Sequence, residues 1–223
     1  MKASHLNTPQ SRSQTGAPVE LALRVHPTIR VCSEWEALLH LENPRERRRR
    51  LEEYLDRGYG ACWFRQPVFA DLAEGALRFF DGQRYQLEAW VVMPNHIHLV
   101  VQIRQTPLSA LSKSWKGFIA REANPILGRK GTLWEREYWD TLMEDEEQFR
   151  KAVNYTENNP AKAGLAREPK AWPWSSARFR DEYGRLRFPE RSADLQPALT
   201  ERTQERGCGR RPLIKSLSPR WCF

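Results

Sequence analysis

No apolar run in this 223-residue chain approaches the ~18 residues needed to cross a bilayer, so the sequence offers no spanning helix. The stretch Met1–Pro18 is polar and rich in Ser, Thr and Gln, and it lacks the apolar centre of a secretory signal. Cysteine is scarce. Cys32, Cys62, Cys208 and Cys222 form no C-x-x-C pair and no regular spacing, which argues against a zinc knuckle or a disulfide frame and for free thiols in a reducing cytoplasm. Acidic residues are in deficit, 28 against 36 Lys and Arg, and the net charge of +8 comes mainly from arginine. Such a surplus favours a polyanionic partner, either nucleic acid or an anionic membrane surface, and the missing apolar runs weaken the second. Histidine is rare as well. Of five, His5, His26 and His40 fall in the irregular N-terminal part, so a His-rich zinc site is not expected.

Hydrophobic residues make up 40% of the chain, enough for one core in a domain of ordinary size. The composition divides the chain into a disordered lead-in over 1–18, a folded domain over 19–180 and a flexible basic tail over 181–223. Val19–Val25 is short and apolar and reads as a strand. From Ser33 to Arg57, apolar residues recur at helical steps, and Pro44 divides them into two helices. A helix is expected from Pro67 to Phe80, with Val68, Leu72, Ala76, Leu77 and Phe80 on its inner side. Tyr85–Met93 and His96–Ile103 alternate as strands and, with Pro94-Asn95 between them, predict a β-hairpin. A helix follows over Ser109–Ala123, with Leu111, Trp115 and Ile119 inward and Lys113, Lys116 and Arg121 outward. Acidic residues at 144–147 open another helix, expected to stop at Asn159 before Pro160.

Two features carry chemistry. His96 and His98 are two apart on a strand, so both imidazoles leave the same face and can share a divalent ion. They sit in a strongly apolar strand pair, where polar rings need a partner. A site finished by an amide or carboxylate oxygen would suit Mg²⁺ or Mn²⁺. The second feature is Asn154-Tyr155-Thr156-Glu157-Asn158-Asn159-Pro160, in which Tyr155 and Asn159 share a helix face. With Phe149, Ala152 and Val153 taken as the core side, Tyr155 is expected to project away from the core, flanked by Lys151 and Lys162. Arg45–Arg50, which includes Arg47 and Arg48, reads either as a solvated helix face or as a phosphate-contacting patch.

Four segments occur in order: Trp90-Val-Val-Met-Pro-Asn-His-Ile-His-Leu-Val100, Gly131-Thr-Leu-Trp134, Tyr155-x3-Asn-Pro-x-Lys-x-Gly-Leu165 and Trp172-Pro-Trp-Ser-Ser176. Together they resemble the REP-associated tyrosine transposases, which stand with the insertion-sequence-200-like transposases in the HUH (His-hydrophobic-His) endonuclease group. The resemblance covers roughly Gly58 to Arg178. It implies an α+β fold: a ferredoxin-like antiparallel sheet with helices packed on it. It also implies His96, His98 and Asn159 as metal ligands and Tyr155 as a nucleophile that leaves a 5′-phosphotyrosine. The implied substrate is single-stranded DNA with a palindromic hairpin, held by Lys113, Lys116, Arg121, Lys151, Lys162, Arg47 and Arg48. Trp134, Trp139, Trp172 and Trp174 would then be candidates for base stacking, although core packing suits each tryptophan as well. One tyrosine per chain makes a homodimer one way to cut two ends.

The pattern departs from the family at its start. Relatives open with an aromatic strand of the Tyr-Phe-x-Thr type, whereas Leu21–Val31 contains Pro27 and no such motif. Either the first strand is degenerate or the start of the gene has been altered. That leaves a rival reading, a hairpin-binding protein of the same fold without cleavage activity. A third, an H-x-H hydrolase of small molecules, needs further His or Asp ligands that the sequence does not obviously offer.

Overall fold

The computed structural model describes residues 18–24, 38, 40–135 and 139–188. The predicted lead-in, the helix before Pro44 and most of the basic tail lie outside the described residues. Contacts divide the chain into two units, Met1–Leu186 and Arg187–Phe223, and every element below belongs to the first. In the second, only residues 187 and 188 are described.

The first unit is built on a four-stranded antiparallel sheet: β1 (Pro18–Arg24), β2 (Tyr85–Val92), β3 (His96–Ile103) and β4 (Trp139–Leu142). The spatial order is β2-β3-β1-β4. β1 is central, pairing with β3 on one side and β4 on the other. The strand read at Val19–Val25 is β1, which spans Pro18–Arg24. Val19–Leu23 is buried on both faces, and a strand covered on both sides needs neither alternation nor an aromatic signature.

Four helices cover the sheet: α1 (Pro44–Asp56), α2 (Pro67–Arg78), α3 (Leu108–Ile126) and α4 (Glu146–Lys162). α2 and α3 pack on the face that carries Tyr85. The Tyr85 hydroxyl donates to Leu77 O (2.5 Å) and accepts from Trp115 Nε1 (3.0 Å). The inner side of α2 is Phe69, Ala70, Ala73, Glu74 and Leu77, whereas Val68, expected inside, is 49% exposed. Buried Glu74 belongs to that side because it accepts Trp90 Nε1 (2.9 Å) and pairs with Arg178 (2.6 Å), so a polar residue stands where an apolar stripe was sought.

α1 and α4 cover the opposite face, which carries Glu20, Ala22, His96, His98 and Val100. Ala152 of α4, with Phe149 and Val153, packs on Ala89 and Val100. Asp145 caps α4 by accepting Gln148 N (2.7 Å). The expected stop at Asn159 does not occur. α4 carries Pro160 inside it and continues to Lys162, with Ala163 N still bonded to Asn159 O (2.9 Å). Proline near a helix end removes only one late donor, and Gly164 at φ +71 makes the actual stop.

After α4 the Trp172–Ser176 segment returns to the edge of β2. Val92 N donates to Trp174 O (2.9 Å), Trp172 Nε1 to Val92 O (3.0 Å) and Trp90 N to Ser176 Oγ (3.0 Å). This caps an otherwise open strand edge. Arg180 then ties the segment to Glu157 of α4 (2.8 Å).

Central placement of β1 predicts the cost of truncating it. Leu21 is fully buried, so Leu21→Ala should lose about 2–5 kcal/mol of unfolding free energy in urea titration. A loss below about 1 kcal/mol would mean that β1 does not lie at the sheet centre.

Candidate active site

β3 carries His96 and His98 on the face beneath α1 and α4, their ring centroids 4.8 Å apart and edge to face. Both are buried. Ala22 stands opposite His98 in the register, and its single methyl leaves the sheet face open to the imidazole.

The tautomer of His96 follows from its neighbour. Asn95 Nδ2 donates to Leu55 O (3.0 Å) and Tyr59 O (2.7 Å), which fixes the amide and leaves Oδ1 as an acceptor. That oxygen lies 2.7 Å from His96 Nδ1, so Nδ1 is the donor, and in the neutral ring Nε2 keeps the lone pair. Asp56 Oδ1, at the end of α1, is 3.8 Å from Nε2. His98 has no hydrogen-bond partner at either ring nitrogen. Burial, reinforced by Arg48 and Lys162, pushes its pKa down to about 3, which leaves the ring neutral with one lone pair to offer.

Tyr155 arrives from α4, its ring edge-on to His98 with centroids 5.4 Å apart. The expectation that it projects away from the core among cations is corrected. Its hydroxyl donates to Glu52 Oε2 (3.1 Å), and burial together with Glu52 and Asp56 raises its pKa well above the usual phenol value. The reason lies in the sheet. The polar face of β1 and β3 draws the Tyr155 and Asn159 stripe of α4 toward it, while Ala152 covers the apolar part. Lys162 remains nearby, 5.3 Å over the Tyr155 ring and 3.5 Å from Asp56 Oδ2. Asn159, one turn beyond Tyr155, is fully buried with neither amide atom hydrogen-bonded.

Glu52 is held in turn by Arg48, whose Nε bonds to Glu52 Oε1 (2.8 Å) while Nη2 reaches Glu20 on β1 (3.0 Å) and Nη1 bonds Thr141 on β4. Arg48 is thus an internal strut, its charge spent on two carboxylates. Three further arginines of that run are also locally engaged: Arg49 and Arg50 pair with Glu46, and Arg47 Nη1 bonds Leu41 O (3.5 Å). Lys151 pairs with Glu147 (2.6 Å). Lys113, Lys116 and Arg121 lie on α3, across the sheet from the histidines, and Lys116 Nζ is bound to Glu135 O (2.8 Å). Among the predicted cations, Arg48 and Lys162 therefore come to the site. Trp134 is buried against Phe64, and Trp174 Nε1 bonds Asp71 (2.8 Å), so these indoles build the fold; the Trp139 side chain is not described.

Sequence reasoning missed Glu52, Asp56 and Asn95. Glu52 and Asp56 are i and i+4 on α1 beside buried Leu51 and Leu55, a spacing that marks carboxylates at the rim of a core face. They follow directly on the Arg45–Arg50 run, whose charge dominates the local sequence.

Among the described residues, no three His, Cys, Asp or Glu side chains already converge, as they stand, into a metal-holding group. The nearby donors are mixed. Two imidazoles, one buried carboxamide and one carboxylate oxygen are donor types for an ion that accepts both nitrogen and oxygen, and the unsatisfied atoms on His98, Asn159 and Asp56 are buried polar groups that such an ion would satisfy.

The family described as "Transposase IS200 like" matches residues 59–159, the span that begins after α1 and ends at Asn159. This chain resembles the IS200-like transposases. The curated REP-associated tyrosine transposase of Escherichia coli (strain K12) is 26% identical to it over 105 residues, 47% of this chain and 61% of that protein. The chain thus spans about three-fifths of that relative's length. A solved structure of a REP-associated tyrosine transposase bound to a REP hairpin superposes with a TM-score of 0.55 at 16% identity, covering 82% of this chain and 89% of the other. At that identity the likeness establishes the shared fold, an antiparallel sheet with helices. The IS200-like match ends at the Tyr155–Asn159 stripe but begins beyond Glu52 and Asp56. Among the described residues, no helix is long and apolar enough to cross a membrane.

The buried neutral His98 makes the metal-free fold acid-sensitive. Its folded pKa is depressed, so its contribution is fully present above the unfolded value of about 6.5 and is lost as pH falls from there toward 3. We predict that, in chelator, unfolding free energy declines between pH 6.5 and 4.5 more steeply in the parent than in His98→Phe. The difference should approach 1.4 kcal/mol per pH unit, on the order of one proton. Parallel profiles would show that His98 is not held neutral.

Proposed function

We propose that this chain is a transposase of the IS200-like, HUH type that cleaves and rejoins single-stranded DNA through Tyr155. The observation that carries the reading is the meeting of the Tyr155 ring with His98, 5.4 Å away, beside the His96–His98 pair. His96, His98 and Asn159 would hold a divalent ion, Mg²⁺ or Mn²⁺, whose chemistry is to withdraw charge from a phosphate oxygen.

The protein groups account for the proton. Buried Tyr155 stays protonated at rest, so attack requires an acceptor for its proton, and Glu52 Oε2 already receives that hydrogen at 3.1 Å. As Tyr155 Oη bonds to phosphorus, the proton passes to Glu52. The P–O3′ bond breaks, and the 3′ oxygen leaves and is protonated by solvent. A 5′-phosphotyrosine remains, and its ester can be taken up by another 3′-hydroxyl, with Glu52 returning the proton to Tyr155. Arg48 positions Glu52 through a second, shorter contact on Oε1 (2.8 Å). Lys162 lies where it can meet a phosphate, while Lys113 and Arg121 are exposed on α3 for backbone contacts further along the strand.

The substrate class is single-stranded DNA bearing a palindromic hairpin, supported by the REP hairpin that the solved relative holds. A homodimer would serve reactions at two ends.

Incubating the purified protein with Mn²⁺ and labelled hairpin DNA should give a covalent adduct that survives denaturing electrophoresis. Tyr155→Phe should abolish it, and adduct formation at the parent's level would refute the nucleophile assignment. Glu52→Gln should retain DNA binding and slow adduct formation by about 10²-fold or more, the ordinary worth of a proton acceptor. A rate within a factor of three or so of the parent would remove Glu52 from the mechanism.

A further inference from the structure

α1 ends at Asp56, and Gly58 at φ +78 turns the chain away immediately afterward. The Asp56 side chain is 11% exposed. Its Oδ1 has no hydrogen bond, and its Oδ2 meets Lys162 Nζ at 3.5 Å. A carboxylate here is doubly disfavoured: burial removes its water, and the C-terminal end of a helix presents negative carbonyl charge. One loosely placed lysine, 58% exposed, is a weak counterweight.

Across from Oδ1 stands His96. Asn95 Oδ1 accepts a hydrogen bond from His96 Nδ1, so in the neutral ring the atom aimed at Asp56 is a nitrogen bearing a lone pair. A carboxylate oxygen and an imidazole lone pair repel each other, and 3.8 Å is too long for a hydrogen bond. That separation has another meaning. Two donors each ~2.1 Å from one cation lie roughly 3.0 Å apart when at right angles and roughly 4.2 Å apart when opposed. The observed distance falls between these.

We propose that Asp56 is a fourth protein donor to the divalent-cation site, supplied by α1 in addition to His96, His98 and Asn159. The inference rests on the proposed function, since it deepens the same site. As metal ligands, imidazoles and a carboxamide are neutral donors, and both ring nitrogens of His98 and the amide of Asn159 are buried without a hydrogen bond. Asp56 gives the site its single negative charge. That charge favours a hard, oxygen-seeking ion such as Mn²⁺ over softer metals. It also explains why the Asn95 amide bridges α1 and the β2–β3 turn: by bonding Leu55 O and Tyr59 O it fixes the end of α1, and hence Asp56, relative to His96.

The test reads metal affinity and needs no DNA. Mn²⁺ is titrated into the metal-free full-length protein, with free ion followed by electron paramagnetic resonance. The parent should bind one ion tightly, and His98→Ala should not. Asp56→Asn should weaken binding by at least about 10-fold, the scale on which lesser supporting groups already act. Glu53→Gln, on the same helix but paired with Arg49, should stay within about 2-fold. If Asp56→Asn matches the parent while His98→Ala fails to bind, the carboxylate is not a ligand and the three-donor site stands alone. If the parent and His98→Ala behave alike, the cation site and the proposed function fall together. Asp56→Cys supplies a second readout should the asparagine variant fold poorly. A ligating thiolate shifts preference from Mn²⁺ toward Cd²⁺, and an unchanged preference overturns the proposal.

Discussion

Arg48 spans three elements at once, and the site depends on that strut. Its guanidinium meets Glu20 on β1, Glu52 within α1 and Thr141 on β4. A sheet face that carries Glu20, His96 and His98 is costly to bury. α1 can cover it because Arg48 offers a planar, multiply donating cation to the carboxylates there. Removing water from this layer raises the stakes of every polar contact within it, since an unpaired partner would face the full desolvation cost.

Burial of this polar layer also decides the character of Tyr155. A phenol surrounded by lysines would ionise readily, but this one faces Glu52, Asp56 and Glu20, all of which disfavour the phenolate. The arrangement keeps the group protonated, and it sets the Glu52 carboxylate within hydrogen-bond reach of the hydroxyl. Asn95 plays the matching role for His96, presenting one ring nitrogen and occupying the other. The two helices and the hairpin turn therefore orient their side chains through hydrogen bonds that end on backbone or on buried charge, which leaves little freedom to drift.

The hairpin was legible in the sequence. Tyr85–Val92 and His96–Ile103 are apolar runs of strand length around Pro94-Asn95, and their local pattern matches the way they fold. The central strand was harder to read, since Val19–Leu23 is covered on both faces and its flanks carry no turn signal of the expected kind. Pro160 misled because only Ala161 and Lys162 follow it in the helix, so the proline costs its own missing N–H and leaves the next donors bonded. The arginine run misled in the opposite way. Its residues differ in fate by their angle around α1, so Arg48 points to the sheet and Arg49 to solvent although they are adjacent.

Local periodicity, by itself, determined that His96 and His98 share one face of a strand and that Tyr155 and Asn159 share one face of a helix. Those are properties of backbone geometry over a few residues. Tertiary structure decided that these two faces meet, that the Tyr155 hydroxyl faces acids while Lys162 alone of its predicted cations stays by the ring, and that α1 contributes Glu52 and Asp56 from just beyond the arginine run. The reason is physical: which polar group ends opposite which depends on the shared cost of burying them, and that cost exists only once distant elements have closed over one another.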